Sequence, residues 1–453
     1  MVNKLILLAT FFTGCMVAKA QLAKTPPMGW NSYNCYGSAV RENEVKENVD
    51  YISTNLKKYG WEYIVVDFLW AYDNPPLSNL SNNKQFKLED GSYVPWLAMD
   101  QYGRLLPHVN KFPSAKQNNG FKALGNYIHK KGLKFGIHVM RGIPRQAVWA
   151  KTPVLGASGI TADMIADTAS KCSWVNHMYG VDMMKLGAQE YLNSLLQLYA
   201  SWGVDFIKVD DISKPYSEAE IEGYNKAIKN CGRPIVLSVS PGATPIAKAN
   251  HVSKYANLWR MENDFWDSWK ELLQMFDRAK TWENIGTAGH WPDCDMLQIG
   301  KLSKRGPVGK ERYSRFTDDE LYTHFSFWAI YRSPLMLGGN MPENREIERK
   351  IFTNEEVIAV NQKGQNPRQL YKNEESMVWV SDVPNSKEKY VGLFNISGSN
   401  HEVSIDLAAI GFATEAKIRD LWKKQNLGTA NGKYAVIIPS HGCSLLRVST
   451  VSQ

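Results

Sequence analysis

One local pattern recurs along this chain and restricts the fold more than any other feature. A helix-like run ends at a glycine, a short loop follows, and an apolar strand begins. Lys57-Lys58-Tyr59-Gly60 leads into Trp61-Glu62-Tyr63-Ile64-Val65-Val66-Asp67, and Lys130-Lys131-Gly132 into Leu133-Lys134-Phe135-Gly136-Ile137-His138. Ser201-Trp202-Gly203 precedes Val204-Asp205-Phe206-Ile207-Lys208-Val209-Asp210, and Asn230-Cys231-Gly232 precedes Arg233-Pro234-Ile235-Val236-Leu237-Ser238. A glycine tolerates the positive φ at which helices commonly end, so each repeat reads as helix, turn, strand. Val45, Val49, Ile52 and Leu56 fall on one helical face ahead of the first repeat. Strands separated by helices pair in parallel, with both faces of the sheet covered. Further strands are expected near 28–30, 258–261, 291–297 and 334–338, making about eight βα units, the count of a (β/α)8 barrel with insertions. An open doubly wound sheet is the rival. No GxGxxG follows the first strand, which weakens a dinucleotide-binding reading.

Beyond about Asn361 the texture changes. Short alternating runs at 377–380, 389–394, 403–407, 433–438 and 444–448 are separated by turn residues. This predicts a small antiparallel β-sandwich. The expected organisation is a signal segment over 1–20, a catalytic barrel over 21–358 and a sandwich over 359–453.

The stretch Phe206-Ile207-Lys208-Val209-Asp210-Asp211-Ile212-Ser213 places three charges at the end of an apolar strand. Burying an unpaired charge is costly, so the trio needs a chemical reason. Barrel active sites lie at the C-terminal ends of the strands. Lys208 and Asp210 are two residues apart and share one strand face. A cation there keeps the carboxylate ionised, as a nucleophile requires. Asp67 ends another strand, Arg260 and Asp264 follow a third, and Asp293 and Asp295 lie in or beyond a fourth. Any one Asp could be a helix cap, Arg260 could pair with a neighbouring acid, and Asp293-Cys294-Asp295 could be a turn or a weak metal-binding DxD. Their convergence on one rim favours paired-carboxylate glycoside hydrolysis.

With these motifs the chain resembles glycoside hydrolase family 27, the α-galactosidase or melibiase family. The resemblance runs from about Thr25 to the end. It rests on Thr25-Pro26-Pro27-Met28-Gly29-Trp30-Asn31-Ser32-Tyr33, on Trp202 to Asp210, on Trp259-Arg260 with Asp264, and on Asp295-Met296-Leu297 with Ile299-Gly300. It implies a retaining exo-glycosidase on a (β/α)8 barrel followed by a β-sandwich, acting on oligosaccharides or polysaccharides with terminal α-D-galactosyl residues. Asp210 takes the nucleophile's place and Asp264 that of the acid/base. Lys208 would contact sugar hydroxyls, Arg260 and Asp295 the 2-hydroxyl region, and Asp67 a hydroxyl at the far end of the ring. Tyr33 replaces a common Trp as an aromatic platform. No metal or organic cofactor is implied.

The departures concern the substrate. Asp67-Phe68-Leu69-Trp70 has Phe68 where many members carry a second Asp that grips hydroxyls at the C4/C6 end. The third strand carries His138 instead of the usual Tyr, and no cysteine follows the nucleophile in Asp211-Ile212-Ser213. The fifth strand ends in small residues, Ser238-Val239-Ser240-Pro241-Gly242-Ala243. An apolar Phe68 would suit a β-L-arabinopyranoside, which has galactose's ring configuration without the hydroxymethyl group. Ser240 and Ala243 would suit an N-acetyl group near C2. β-L-Arabinopyranosidase and α-N-acetylgalactosaminidase are therefore the alternatives within the family. A non-catalytic carbohydrate-binding protein is the alternative from another class, and the presence of both Asp210 and Asp264 argues against it.

The first 20 residues resemble a secretory signal: Lys4, an apolar run to Val17, then Ala18-Lys19-Ala20 as a cleavage site. Phe12-Thr13-Gly14-Cys15 is a poor lipobox, which makes a cell-surface lipoprotein the lesser expectation beside a secreted or periplasmic protein. The apolar run is too short to span a bilayer. Without Lys4 and Lys19 the formal charge falls by two from +8, to +6, and the basic residues are scattered. No nucleic-acid partner is indicated. Cleavage would leave an odd number of cysteines with no CxxC and room for at most a stray disulfide. Oligomeric state is not legible.

Overall fold

A computed structural model describes residues 21–73, 85–87, 91 and 93–451. The expected signal segment lies outside these residues. Eight parallel strands form one sheet: β1 Met28–Asn31, β2 Tyr63–Val66, β3 Lys134–Met140, β4 Val204–Asp210, β5 Val236–Val239, β6 Leu258–Arg260, β7 Trp291–Asp293 and β8 Leu335–Leu337. From β1 to β7 each is bonded to its sequential neighbour, and β8 pairs with β1 through Met28 and Leu335. A parallel bridge between Leu297 and Leu337 joins the segment after β7 to β8 and closes the ring. The expected single strand over 291–297 is broken because Asp295 adopts a φ of 79°. Beyond that kink, the chain rejoins the sheet only at Leu297.

Side-chain alternation divides the barrel wall. Phe206 faces an interior cluster with Tyr63, Val65, Val236, Leu258, Met296 and Met336. Ile207 and Val209 face outward into the helix-packed core. Lys208 and Asp210 therefore stand above the apolar plug, on the inner face. Gly29 shows how closely the strands approach: a Cβ there would lie 2.3 Å from the Tyr63 carbonyl oxygen.

The helix expected around Val45 spans Glu42–Asn55, and Val45, Val49, Ile52 and Leu56 are all buried. Between β3 and the helix Ala188–Ser201, the chain makes a small antiparallel sheet of Ile143–Pro144, Ala166–Lys171 and Met178–Val181. The sequence carried no period for this insertion, yet it builds part of the site.

The C-terminal domain is an antiparallel sandwich. Six strands are ordered β9 Gln365–Lys372, β10 Ser376–Asp382, β11 Lys389–Asn395, β16 Cys443–Thr450, β13 Ala416–Asp420 and β14 Gln425–Ala430. β12 His401–Asp406 pairs with β15 Lys433–Ile438. β9, β13 and β14 were not foreseen. β9 contains Pro367 and irregular register, and β14 is mostly exposed, so neither shows strand alternation. The helix Glu355–Lys363 runs across the boundary expected at 358/359.

The helix Asp318–Tyr331 joins the two domains. It is buried on nearly every face because barrel and sandwich cover opposite sides. Thr323 donates to the His441 carbonyl at 2.7 Å, and Trp422 Nε1 donates to Ser326 Oγ at 2.8 Å. Among the described residues no helix is long and apolar enough to cross a membrane. The five described cysteines are free thiols, so the stray disulfide is absent among them.

Candidate active site

The rim of the barrel collects the charged residues singled out in the sequence. Asp67, directly after β2, is fully buried. Its Oδ2 accepts from Lys208 Nζ at 3.2 Å and Asn31 Nδ2 at 2.7 Å, and its Oδ1 accepts from the Phe68 amide at 2.8 Å. Burial alone would raise its pKa, but Lys208, His138 and these hydrogen bonds hold it below the ordinary value. Burial would likewise favour neutral Lys208; the Asp67, Asp210 and Asp295 carboxylates reverse this and raise its pKa. A lysine paired in this way remains cationic and keeps donors for a ligand.

Asp210 ends β4. Oδ2 accepts from His138 Nε2 at 3.0 Å, and Oδ1 accepts from the Asp211 amide at 3.0 Å. A carboxylate only accepts, so Nε2 is the protonated ring nitrogen. Burial pushes the Asp210 carboxyl up, but His138, Lys208 and the Asp211 amide together bring it well below the usual range. His138 and Lys208 are register partners on β3 and β4. The parallel pairing thus brings His138 beside the end of β4, where it bonds Asp210.

Arg260 ends β6 and lies 3.4 Å from Asp264 Oδ1 and 2.8 Å from Asp295 Oδ2. Asp295 also accepts from the Phe265 amide at 2.8 Å. Arg260 and Asp295 are buried, whereas the Asp264 side chain is half exposed. Burial, reinforced by nearby Asp264 and Asp293, raises the Asp295 carboxyl against the pull of Arg260. Asp293 accepts from the Asp295 amide at 2.8 Å, so Asp293-Cys294-Asp295 is a turn with an ion pair. Among the described residues, no group of three or more His, Cys, Asp or Glu is placed to hold a metal.

These groups surround a cavity of about 320 Å³ lined by Tyr33, Asp67, Phe68, Trp174, Lys208, Asp210, Pro241, Asn263 and Asp264. That volume suits one pyranose ring. The Tyr33 phenol faces the carboxylates, and burial together with Asp264, Asp67 and Asp210 keeps it protonated. Phe68 is packed edge-on against His138 at 5.4 Å and Tyr33 at 6.4 Å, and tilted against Trp174 at 5.6 Å. It forms the apolar wall and does not turn into the barrel.

Four expected residues are buried and are not among those that line the cavity. His138, expected to line the substrate site, stands behind Asp210. Arg260 and Asp295, expected near the 2-hydroxyl, form a buried ion pair next to Asp264. The Ser240 hydroxyl points at the Val209 carbonyl, 3.4 Å away, and Pro241 supplies that part of the wall.

Sequence reasoning missed Asn31, Trp174, Pro241 and Asn263. Asn31 was within reach, since it follows a strand end within the opening motif. Trp174 carried no signal, because only the folding of the insertion brings it beside Phe68.

A parallel barrel that carries two carboxylates on one sugar-sized cavity defines a class, the glycoside hydrolases. Residues 182–363 match the family described as Alpha galactosidase A, and residues 373–448 match the Alpha galactosidase C-terminal beta sandwich domain. The chain belongs to glycoside hydrolase family 27 and is a glycosidase. It is 47% identical to a family 27 β-L-arabinopyranosidase from Geobacillus stearothermophilus, with a TM-score of 0.90 over 95% of this chain and 97% of that one. It is 43% identical to a structure described as a putative α-N-acetylgalactosaminidase from Bacillus halodurans, with a TM-score of 0.84 over 94% and 98%. An α-galactosidase from Cyamopsis tetragonoloba is 29% identical over 95% of this chain and 87% of its own length.

Proposed function

We propose that the protein is a retaining exo-glycosidase that prefers terminal β-L-arabinopyranosides to α-D-galactosides. One observation carries the preference: Phe68 forms an apolar wall of the cavity beside Asp67 and Lys208. In the family pattern this position bears a carboxylate for hydroxyls at the C4/C6 end. An aromatic edge there fills the space of a hydroxymethyl group and offers it no acceptor. A sugar with galactose's ring configuration and no C6 loses nothing by this exchange. The relative described as a β-L-arabinopyranosidase supports the same reading. α-D-Galactosides, the family's usual substrates, would be slower ones.

The chemistry follows from the two carboxylates. Asp210, held ionised, attacks the anomeric carbon, forming a glycosyl ester. As the bond to the aglycone breaks, Asp264 gives its proton to the departing oxygen. Water then attacks the same carbon, Asp264 takes a proton from it, and Asp210 is released. Retention requires the two carboxyls to lie about 5–5.5 Å apart. Asp264 suits the second role because it lines the cavity and is open to water on one side. Lys208 and Asp67 hold ring hydroxyls, Tyr33 packs on the ring, and the Arg260–Asp295 pair fixes Asp264. A cavity sized for one ring favours attack on terminal residues.

The test compares kcat/KM for 4-nitrophenyl β-L-arabinopyranoside and α-D-galactopyranoside, with Asp210→Ala as the inactive control. A higher value for the galactoside would overturn the preference. Equal wild-type and Asp210→Ala rates would overturn catalysis by this site. We propose also that residues 1–20 direct export to the periplasm or outside the cell, so that the mature protein begins near Gln21. Native protein starting at Met1 would refute that.

A further inference from the structure

Behind the nucleophile lies a buried ionic cluster that the reaction above does not use. Arg141 follows β3, Asp211 follows β4, and Glu220 lies in the helix Glu218–Asn230. All three are almost wholly buried. Arg141 Nε lies 3.1 Å from Asp211 Oδ2 and also donates to the Asp211 carbonyl. Arg141 Nη1 donates to Glu220 Oε1 at 2.8 Å. The Arg141 amide donates to the Asp210 carbonyl at 2.9 Å. One arginine thus grips the backbone of both Asp210 and Asp211.

The backbone of Asp211 explains what such a grip does. Its φ is 59°, in the left-handed region that residues with a Cβ seldom occupy. In that conformation its amide points back at Asp210 Oδ1, 3.0 Å away. A buried cluster of one cation and two carboxylates is poor evidence of a stability role, because desolvation offsets much of its attraction. Fixing a conformation is the better-founded use.

We propose that Arg141 and Asp211 are positioning residues: the Arg141–Asp211–Glu220 cluster locks Asp211 in the left-handed conformation so that its amide holds the nucleophile Asp210 ionised and aimed. This rests on the reading of Asp210 as nucleophile. The other groups facing Asp210, namely His138, Lys208, Tyr33 and Arg260, are untouched by it. Burial raises the Glu220 carboxyl to about 7 against the pull of Arg141, and the Asp211 carboxylate repels Asp210, so the field of the cluster does not lower the Asp210 carboxyl. Its effect on Asp210 is conveyed by geometry.

The test uses the full chain and an aryl glycoside with a good leaving group. In Asp211→Ala the carboxylate contact to Arg141 is lost and a residue that seldom adopts the left-handed region takes its place, so the φ is less firmly enforced. We expect kcat/KM to fall about 10- to 100-fold, the range for a hydrogen bond to a charged group, and the acid limb of its pH profile to move up by about one unit or more. Asp211→Asn tolerates the left-handed region and keeps an acceptor for Arg141, so it is expected within about threefold of wild type, with the limb unmoved or lower because a repelling charge is gone. Arg141→Lys cannot reproduce the fork and should move the limb in the same direction as Asp211→Ala, providing the test if that variant does not fold. Folded Asp211→Ala and Arg141→Lys with wild-type kcat/KM and acid limb would overturn the proposal. Asp210→Ala separates this from the underlying reading. If it is inactive and azide restores turnover with a glycosyl azide of inverted configuration, the nucleophile stands whatever the clamp variants do. Full activity without azide would remove the nucleophile itself.

Discussion

Replacing Phe68 by Asp examines the link between the cavity wall and the sugar. Phe68 makes close ring contacts with Tyr33, His138 and Trp174. Contacts of this kind are worth about 0.5–1.5 kcal/mol each, so Phe68→Asp should destabilise the fold by a few kcal/mol at most from this source. The new carboxylate would stand beside Asp67, within the field of Lys208, which holds Asp67 at 3.2 Å. That cation offsets part of the added charge. A hydrogen bond from a sugar hydroxyl to a carboxylate contributes about 1.5–3 kcal/mol, or about tenfold to a hundredfold in kcat/KM. The α-galactoside has a C6 hydroxyl to donate and the β-L-arabinopyranoside has none. The ratio of kcat/KM for the galactoside over the arabinopyranoside should therefore rise by about that factor. The assay is release of 4-nitrophenol from both substrates, with thermal unfolding to confirm a native fold. An unchanged ratio in a folded variant would show that Phe68 never meets the sugar, and the proposed preference would lose its physical basis.

Three further outcomes follow from the site. His138→Gln weakens the bond to Asp210 Oδ2; since this bond and Lys208 keep Asp210 below its ordinary pKa, the acid limb of kcat/KM should move to higher pH, and an unmoved limb would show that His138 does not hold the nucleophile. Asp264→Ala should abolish the alkaline limb and slow substrates with poor leaving groups far more than activated ones; a retained limb would displace Asp264 from the acid/base role. Trp174→Ala removes the half-exposed wall over Phe68 and should raise KM about 2- to 10-fold with kcat little changed, as measured by steady-state kinetics; a fall in kcat alone would place Trp174 in the chemical step.

The barrel, the sandwich and the ends of the charged strands were legible from local pattern. This is so because helix ends, glycines and apolar runs act locally, and side-chain alternation fixes which strand residues share a face. Lys208 with Asp210, Asp67 at the end of β2, and Arg260 with Asp264 were legible for that reason. What each charge touches depends on packing between distant segments. Sequence spacing gives no distance between strands, so it could not show that His138 lies 3.0 Å behind Asp210, or that Arg260 is shared by Asp264 and Asp295. The kink at Asp295 is a single backbone angle that no period announces. Trp174 and Arg141 reach the site through an insertion and a cross-strand contact, and Ser240 turns its hydroxyl into the wall because the Val209 carbonyl lies within reach. These are consequences of packing, which depends on residues far apart in the chain and is written in no short stretch of it.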